Sequence, residues 1–289
     1  MLQVASWGRF QMVNIIPPIG PTGRVLSVFS IGFANLITAG EHEDVVAAGS
    51  GALVTVGAIQ GILTAAHVLE ALPTQGRVGL IRYTSTPVIH KQTIEMAFTE
   101  KLIIRGSGSE SDGPDLGFLR LAPDQVATLN ATNVFFNLSK RAESILGNRF
   151  SCHPYFEGVC GIVAEWTIDD TSGEAGRGRL KGFRGLFGVG KVSGTREVNG
   201  YDLVSFETDR RENEEAPSDY KGVSGAALWR VYFTRDSDNQ LSVSDKAIFG
   251  VAFHQSQLID GMRTISCHGP KSVYDILLRK IVDRWPHAG

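Results

Sequence analysis

Three short strings hold the residue types that together make a nucleophilic hydroxyl: Leu63-Thr-Ala-Ala-His67, Asp115-Leu-Gly-Phe-Leu119 and Gly222-Val-Ser-Gly-Ala226. A serine hydroxyl at its ordinary pKa is a poor nucleophile. It attacks a carbonyl when an imidazole takes its proton and a buried carboxylate orients that imidazole and stabilises its charged form. Ser224, His67 and Asp115 are the candidates for these three roles. Gly222 and Gly225 flank the serine, let the backbone turn tightly and aim the N–H groups of Gly222 and Ser224 at one spot, an oxyanion hole in outline. The α/β-hydrolase alternative is disfavoured on the same residues. That fold carries Gly-x-Ser-x-Gly and places its histidine last, whereas Ala226 stands at the second glycine position here and His67 lies far upstream.

The elements that must position these groups are legible in the flanking residues. Gly61-Ile62-Leu63 before the histidine and Val68-Leu69 after it predict a buried strand that breaks into a turn or short helix at His67. Gly113-Pro114 marks a turn, and the alternation over Leu116–Leu121 predicts a half-buried strand that Asp115 opens. Near the C-terminus, Ser272-Val-Tyr-Asp275 has the spacing of a capping box, with Asp in place of Glu or Gln. Val273, Leu277, Ile281 and Trp285 then recur every four residues until Pro286, which predicts a helix over 272–285 packing one face on the core.

With His, Asp and Ser in that order, the chain resembles the trypsin-like serine peptidases of the chymotrypsin fold, in an intracellular, disulfide-poor branch. Thr64-Ala-Ala-His67 is similar to that family's histidine motif and Asp115-Leu-Gly-Phe-Leu119 to its aspartate motif. The serine block departs from the pattern: Val223 stands where secreted members carry an aspartate that pairs with a new N-terminus after zymogen cleavage. Gly49–Val56 resembles the strand before the histidine block, and Ile248–Ala252 the pocket-lining strand after the serine. The resemblance runs from about Gly49 to the C-terminus. It implies an all-β chain of two packed six-stranded antiparallel β-barrels with a C-terminal helix. The expected layout is an extension over 1–24, a first barrel over about 25–125, a second over about 135–270 and a helix over 272–285.

Composition agrees with a globular enzyme. The chain has 289 residues, 43% hydrophobic and 20% charged, enough to bury a substantial core in one large domain or two packed halves. The 33 glycines against 11 prolines, with many short apolar runs between turn clusters, favour β architecture. A net charge of −2 implies no global attraction to nucleic acid or to a membrane surface. Cys152, Cys160 and Cys267 are too few for a disulfide scaffold, which suggests a reducing compartment. Met1–Thr22 lacks the pattern of a leader, and Val25–Ile37 is expected to form the first strands. No apolar run reaches the about 18 to 20 residues of a membrane span.

The resemblance also assigns a substrate pocket. Residues shortly before the serine, Ser218 and Asp219, are its candidates, and a carboxylate there would favour a basic substrate side chain. Phe253, His254 and Gln255 would form the opposite wall, bulkier than the glycine that the family often places there. Other motifs attract blander readings. Gly185-Leu-Phe-Gly-Val-Gly-Lys191 has the spacing of a phosphate-binding loop, but Val192 lacks the hydroxyl needed for magnesium, so a glycine-rich hairpin or loop is expected. Arg177, Arg179, Lys181, Arg184 and Lys191 read as a solvated loop, as do the acidic residues from Glu207 to Glu215. Cys152-His153 and Cys267-His268 lack zinc-ligand spacing.

The resulting expectation is a serine endopeptidase that needs no metal or organic cofactor, with His67, Asp115 and Ser224 as its triad. Its partners are a protein or peptide substrate and, with Val223 removing the N-terminal switch, a regulatory protein that orders the site. Similarity to bacterial intracellular peptidases implies a cytoplasmic, bacterial setting. Two other functional classes stay open: a catalytically inactive peptidase-like binding or regulatory module, and a nucleotide-binding protein using Gly185–Lys191.

Overall fold

A computed structural model describes residues 19–39, 42–82, 92–108, 111–147, 154–170, 180–182, 185–209, 217–235, 237 and 241–286. The chain is mostly β, in antiparallel sheets, with a C-terminal helix. The first half contributes β1 (Ser30–Ala39), β2 (His42–Val56), β3 (Ile59–Thr64), β4 (Arg77–Arg82), β5 (Gln92–Glu95), β6 (Glu100–Arg105) and β7 (Asp115–Arg120). They hydrogen-bond in the order β5-β4-β1-β2-β3-β7-β6, and the two-residue β8 (Phe136–Asn137) joins parallel to β2. The edge strands β5 and β6 are consecutive in the chain, linked through the 3-10 turn Met96–Phe98. Four residues between Glu95 and Glu100 span at most about 18 Å, so the sheet must curl until its edges approach. The expected six-stranded first barrel is therefore replaced by an eight-stranded curled sheet, whose edges are joined by a turn and not by a ladder.

The second half supplies β9 (Tyr155–Ile162), β10 (Ile168–Asp170), β11 (Leu180–Gly182), β12 (Gly185–Val198), β13 (Tyr201–Asp209), β14 (Ala227–Arg235), β15 (Leu241–Gln255) and β16 (Met262–His268). Six of these close into a barrel in the order β12-β13-β16-β15-β14-β9, while β10 and β11 form a separate two-stranded sheet. Gly185–Lys191 lies in β12, and Gly185 to Gly190 pair with Ile162 to Glu157 of β9. This stretch is barrel strand, not the expected hairpin or loop, and its backbone is committed to sheet pairing instead of forming a phosphate cradle. Arg177, Arg179, Arg184, Cys152, His153 and Met1–Pro18 lie outside the described residues.

Helices fill the margins: α1 (Ile19–Ser27), α2 (Ala66–Ala71), α3 (Pro123–Asn130), α4 (Leu138–Leu146) and α5 (Leu278–Arg284). Val25–Ser27, expected as strand, ends α1, and β1 begins only at Ser30. Ser27 Oγ donates to the Arg24 carbonyl (2.8 Å) and Ser30 Oγ to that of Leu26 (3.2 Å). These hydroxyls bond carbonyls at the helix end, where Leu26 O also accepts from Phe29 N at 3.1 Å. Leu26 and Phe29 then enter a core shared by both sheets, with Leu63 and Phe118 from one side and Trp229 and Ile248 from the other.

The C-terminal helix starts as a π-helix, Ser272–Leu277, and continues as α5. A strict four-residue apolar repeat drifts about 40° per step on a 3.6-residue helix, so underwinding the first turns keeps Val273 and Leu277 on one face. Val273, Leu277, Ile281 and Trp285 are all buried. The expected capping box does not form. Asp202 of β13 caps the helix instead: its carboxylate accepts from Lys271 N (2.9 Å), Ser272 N (2.6 Å) and Ser272 Oγ (2.6 Å).

Candidate active site

His67 lies in the first turn of α2, directly after β3. Its ring position follows from burial on either side: Ala65, Ala66, Val68 and Leu69 have no exposed surface, which leaves the His67 side chain about one-third exposed. Ala65, the residue before α2, has no side-chain oxygen to cap it. Asp115 does this from β7, where its Oδ1 accepts from His67 N at 2.9 Å. Its Oδ2 meets His67 Nδ1 at 2.7 Å. One carboxylate thus fixes both the backbone and the ring of the histidine. With Nδ1–H facing the Asp115 carboxylate, the neutral ring leaves Nε2 as its acceptor nitrogen.

Asp115 is 4% exposed. Burial alone would raise its pKa, but the His67 hydrogen bonds and charge, with the Arg105 guanidinium, hold it below the ordinary value. Arg105, at the end of β6, pairs with Asp115 Oδ2. A second histidine supports the aspartate from below: Asp115 N donates to His268 Nε2 at 2.8 Å. His268 is fully buried and stacks on Phe253, with ring centroids 4.6 Å apart. Burial pushes its pKa down to about 4. That agrees with the geometry, since an Nε2 that accepts a hydrogen bond belongs to a neutral ring. β7 itself is buried on both faces, not half-buried as its alternation predicts. Leu116 and Phe118 face the shared core, and Gly117 lies under Leu69 of α2.

The Ser224 turn is seated on the same strands. Ser50 N of β2 donates to the Ser224 carbonyl (2.7 Å) and Ser50 Oγ to that of Gly222 (2.6 Å). A Cβ on Gly225 would overlap Thr64 Oγ1 and the Ser50 carbonyl, and its φ is +86°. Only glycine allows the serine turn to press onto the strand end that carries His67. Gly222, with φ +92°, makes the companion bend. The N–H groups of Val223, Gly225 and Ala226 bond to the Tyr220 (3.0 Å), Ala252 (2.7 Å) and Val223 (2.8 Å) carbonyls. Among the described residues those of Gly222 and Ser224 donate to nothing, and the Ser224 hydroxyl likewise makes no hydrogen bond. Val223 is 1% exposed and packs with Tyr220, Val159 and Leu228. Apolar packing therefore anchors the turn at Val223.

The expected pocket residues separate into two groups. Phe253, His254 and Gln255 line a cavity of about 20 Å³ beside Ser224, with Tyr220, Val223, Ala252 and Ile265. Ser218 and Asp219 do not line it. Both bind Glu165, whose carboxylate accepts from Ser218 N (2.7 Å), Ser218 Oγ (2.6 Å) and Asp219 N (3.1 Å). Asp219 Oδ1 accepts from Gln255 Nε2 at 2.7 Å, and Lys221 Nζ lies 3.4 Å from Oδ2. Burial would raise the Asp219 pKa, but the bonds from Gln255 and Lys221 hold it below the ordinary value. A larger cavity of about 580 Å³ opens beside Arg105, Pro114, Tyr201, Lys280 and Arg284. Neither Ser224 nor His67 lines it, so the candidate chemistry lies elsewhere.

Sequence reading missed Arg105, His268, Ser50, Glu165 and Arg263. None of their neighbours in the sequence signals these contacts, which arise where distant segments of the chain meet. Cys160 and Cys267 are free and buried. Among the described residues no helix is long and apolar enough to cross a membrane, and no group of side chains is arranged to hold a metal ion. No family model matches the chain, and no curated protein matches it.

Proposed function

We propose that the chain is a serine endopeptidase with the two-barrel plan of the trypsin-like family, its curled sheet standing for the first barrel. The observation that carries this reading is the Asp115 carboxylate, bound at once to the backbone and to the ring of His67, beside a serine turn with two N–H groups that find no acceptor among the described residues. In the proposed reaction the Ser224 proton passes to His67 Nε2 while Oγ bonds to the scissile carbonyl carbon. The oxyanion is held by the N–H groups of Gly222 and Ser224, each worth about 3 to 4 kcal/mol at such a site. Collapse breaks the C–N bond as His67 returns the proton to the leaving amine, and water releases the acyl group by the same steps. No metal or organic cofactor enters this scheme.

A fluorophosphonate probe tests it, with mass spectrometry to locate the adduct. Wild-type protein is expected to label at Ser224, while Ser224→Ala and His67→Ala are not. A folded wild type that stays unlabelled would sink the reading. The second reading, a peptidase-like module without turnover, draws on the small cavity and on the unbonded Ser224 hydroxyl. It predicts no labelling at Ser224 until a regulatory partner is added, or none at all.

A further inference from the structure

The cavity beside Ser224 has a volume of about 20 Å³. One water-sized sphere takes about 10 to 15 Å³ on this measure, so there is room for a methyl or hydroxymethyl group. The side chain of lysine, arginine or phenylalanine would enter only if the walls parted. Gln255 ties those walls together. Its Oε1 accepts from Tyr220 N at 3.0 Å and from Arg263 Nη1, and its Nε2 donates to Asp219 Oδ1 at 2.7 Å. The amide orientation is fixed, since two donors face the oxygen and one acceptor faces the nitrogen.

Arg263 locks the bridge from β16. Its side chain is 10% exposed, and Nη2 donates to the Ser218 carbonyl at 2.8 Å. Its Nε is buried and has no partner among the described residues. Parting the walls would expose or orphan several of these groups together, each costly when left unpaired. Asp219 faces Gln255, Lys221 and the Arg263 guanidinium 3.9 Å away, so its charge is engaged and cannot serve as a free receptor for a basic side chain.

We infer that this subsite selects peptides with glycine, alanine or serine on the amino side of the cleaved bond, and that Gln255 sets the size limit. The inference rests on the serine-peptidase reading and names its substrate class. The test uses three peptide phosphonates that differ only in the side chain next to phosphorus, namely that of alanine, lysine or phenylalanine. In each reaction Ser224 Oγ bonds to phosphorus, a phenoxide leaves and His67 takes the hydroxyl proton. A fluorophosphonate without that side chain is the reference. In wild-type protein the alanine reagent is expected to label Ser224 at least about tenfold faster than the other two, the discrimination that a mismatch of a methylene or more gives a tight pocket. In Gln255→Ala that ratio should shrink several-fold.

Equal or faster labelling by the lysine or phenylalanine reagent, in protein that the fluorophosphonate labels, would overturn the inference and leave the peptidase reading standing. A tenfold ratio unchanged in Gln255→Ala would overturn the role of Gln255. Absence of fluorophosphonate labelling would remove the peptidase reading and this inference with it. Should Gln255→Ala not fold, the wild-type ratio still decides the size limit, and the shorter amide of Gln255→Asn tests the bridge.

Discussion

Asp115 carries more than one task, and its substitutions separate them. On the proposed peptidase reading, Asp115→Asn keeps size and some hydrogen bonding but removes the charge that would stabilise an imidazolium and fix its tautomer, so kcat is expected to fall about 10⁴-fold. Steady-state kinetics on a small ester or peptide would measure this, and a loss below about tenfold would contradict the role given to Asp115. His268 offers a test that does not depend on turnover. Its pKa is about 4 in the folded chain against an ordinary 6.5, so the unfolded chain takes up a proton first as pH falls. Its contribution is complete above pH 6.5 and is lost as pH falls toward 4, by roughly 3 kcal/mol in all. Urea unfolding at several pH values should show that slope in wild type and a flatter one in His268→Gln, which keeps an acceptor for Asp115 N but does not titrate there.

At the scale of elements, β2 is the base on which the serine turn rests. Ser50 Oγ donates to the Gly222 carbonyl and accepts from Ile162 N at 2.9 Å, so one hydroxyl connects the turn, β2 and the start of the barrel. Ser50→Ala would leave a half-buried carbonyl and a buried N–H without the Ser50 hydroxyl. The expected cost is about 2 to 4 kcal/mol, read by denaturant unfolding. Because Gly222 would lose its anchor, fluorophosphonate labelling should also slow. Unchanged stability would mean that the turn is held by the glycine contacts alone.

At the scale of the whole molecule, the C-terminal helix clasps the two sheets. Tyr274 donates its hydroxyl hydrogen to the Ile248 carbonyl of β15 (2.8 Å), and Trp285 Nε1 donates to Glu100 Oε2 of β6 (2.8 Å). The Trp285 ring lies on Phe118 with centroids 5.9 Å apart, and the Arg120 guanidinium sits 5.4 Å from its centre. Trp285→Ala is expected to destabilise the protein by about 3 to 5 kcal/mol and to loosen β6 and β7, which carry Arg105 and Asp115. Thermal unfolding should show the loss. A wild-type melting temperature would mean that the helix is an ornament of the fold and not its clasp.

The sequence by itself determined the parts that local chemistry dictates. His67, Asp115 and Ser224 stood out because each lies where an apolar run meets a turn, and the C-terminal helix announced itself by its apolar repeat. The glycines around Ser224 were also legible, since a tight turn leaves few alternatives to Gly222 and Gly225. Tertiary structure decided everything that depends on which strands meet. It brought Arg105 and His268 to Asp115, replaced the expected capping box with Asp202 from another strand, and curled the first sheet instead of closing it. It also turned Asp219 from a candidate receptor into a carboxylate already bonded to Gln255. Hydrogen-bond partners across strands are set by sheet register and barrel closure, and residues such as Gln255 and Arg263 carry no local pattern that could reveal either.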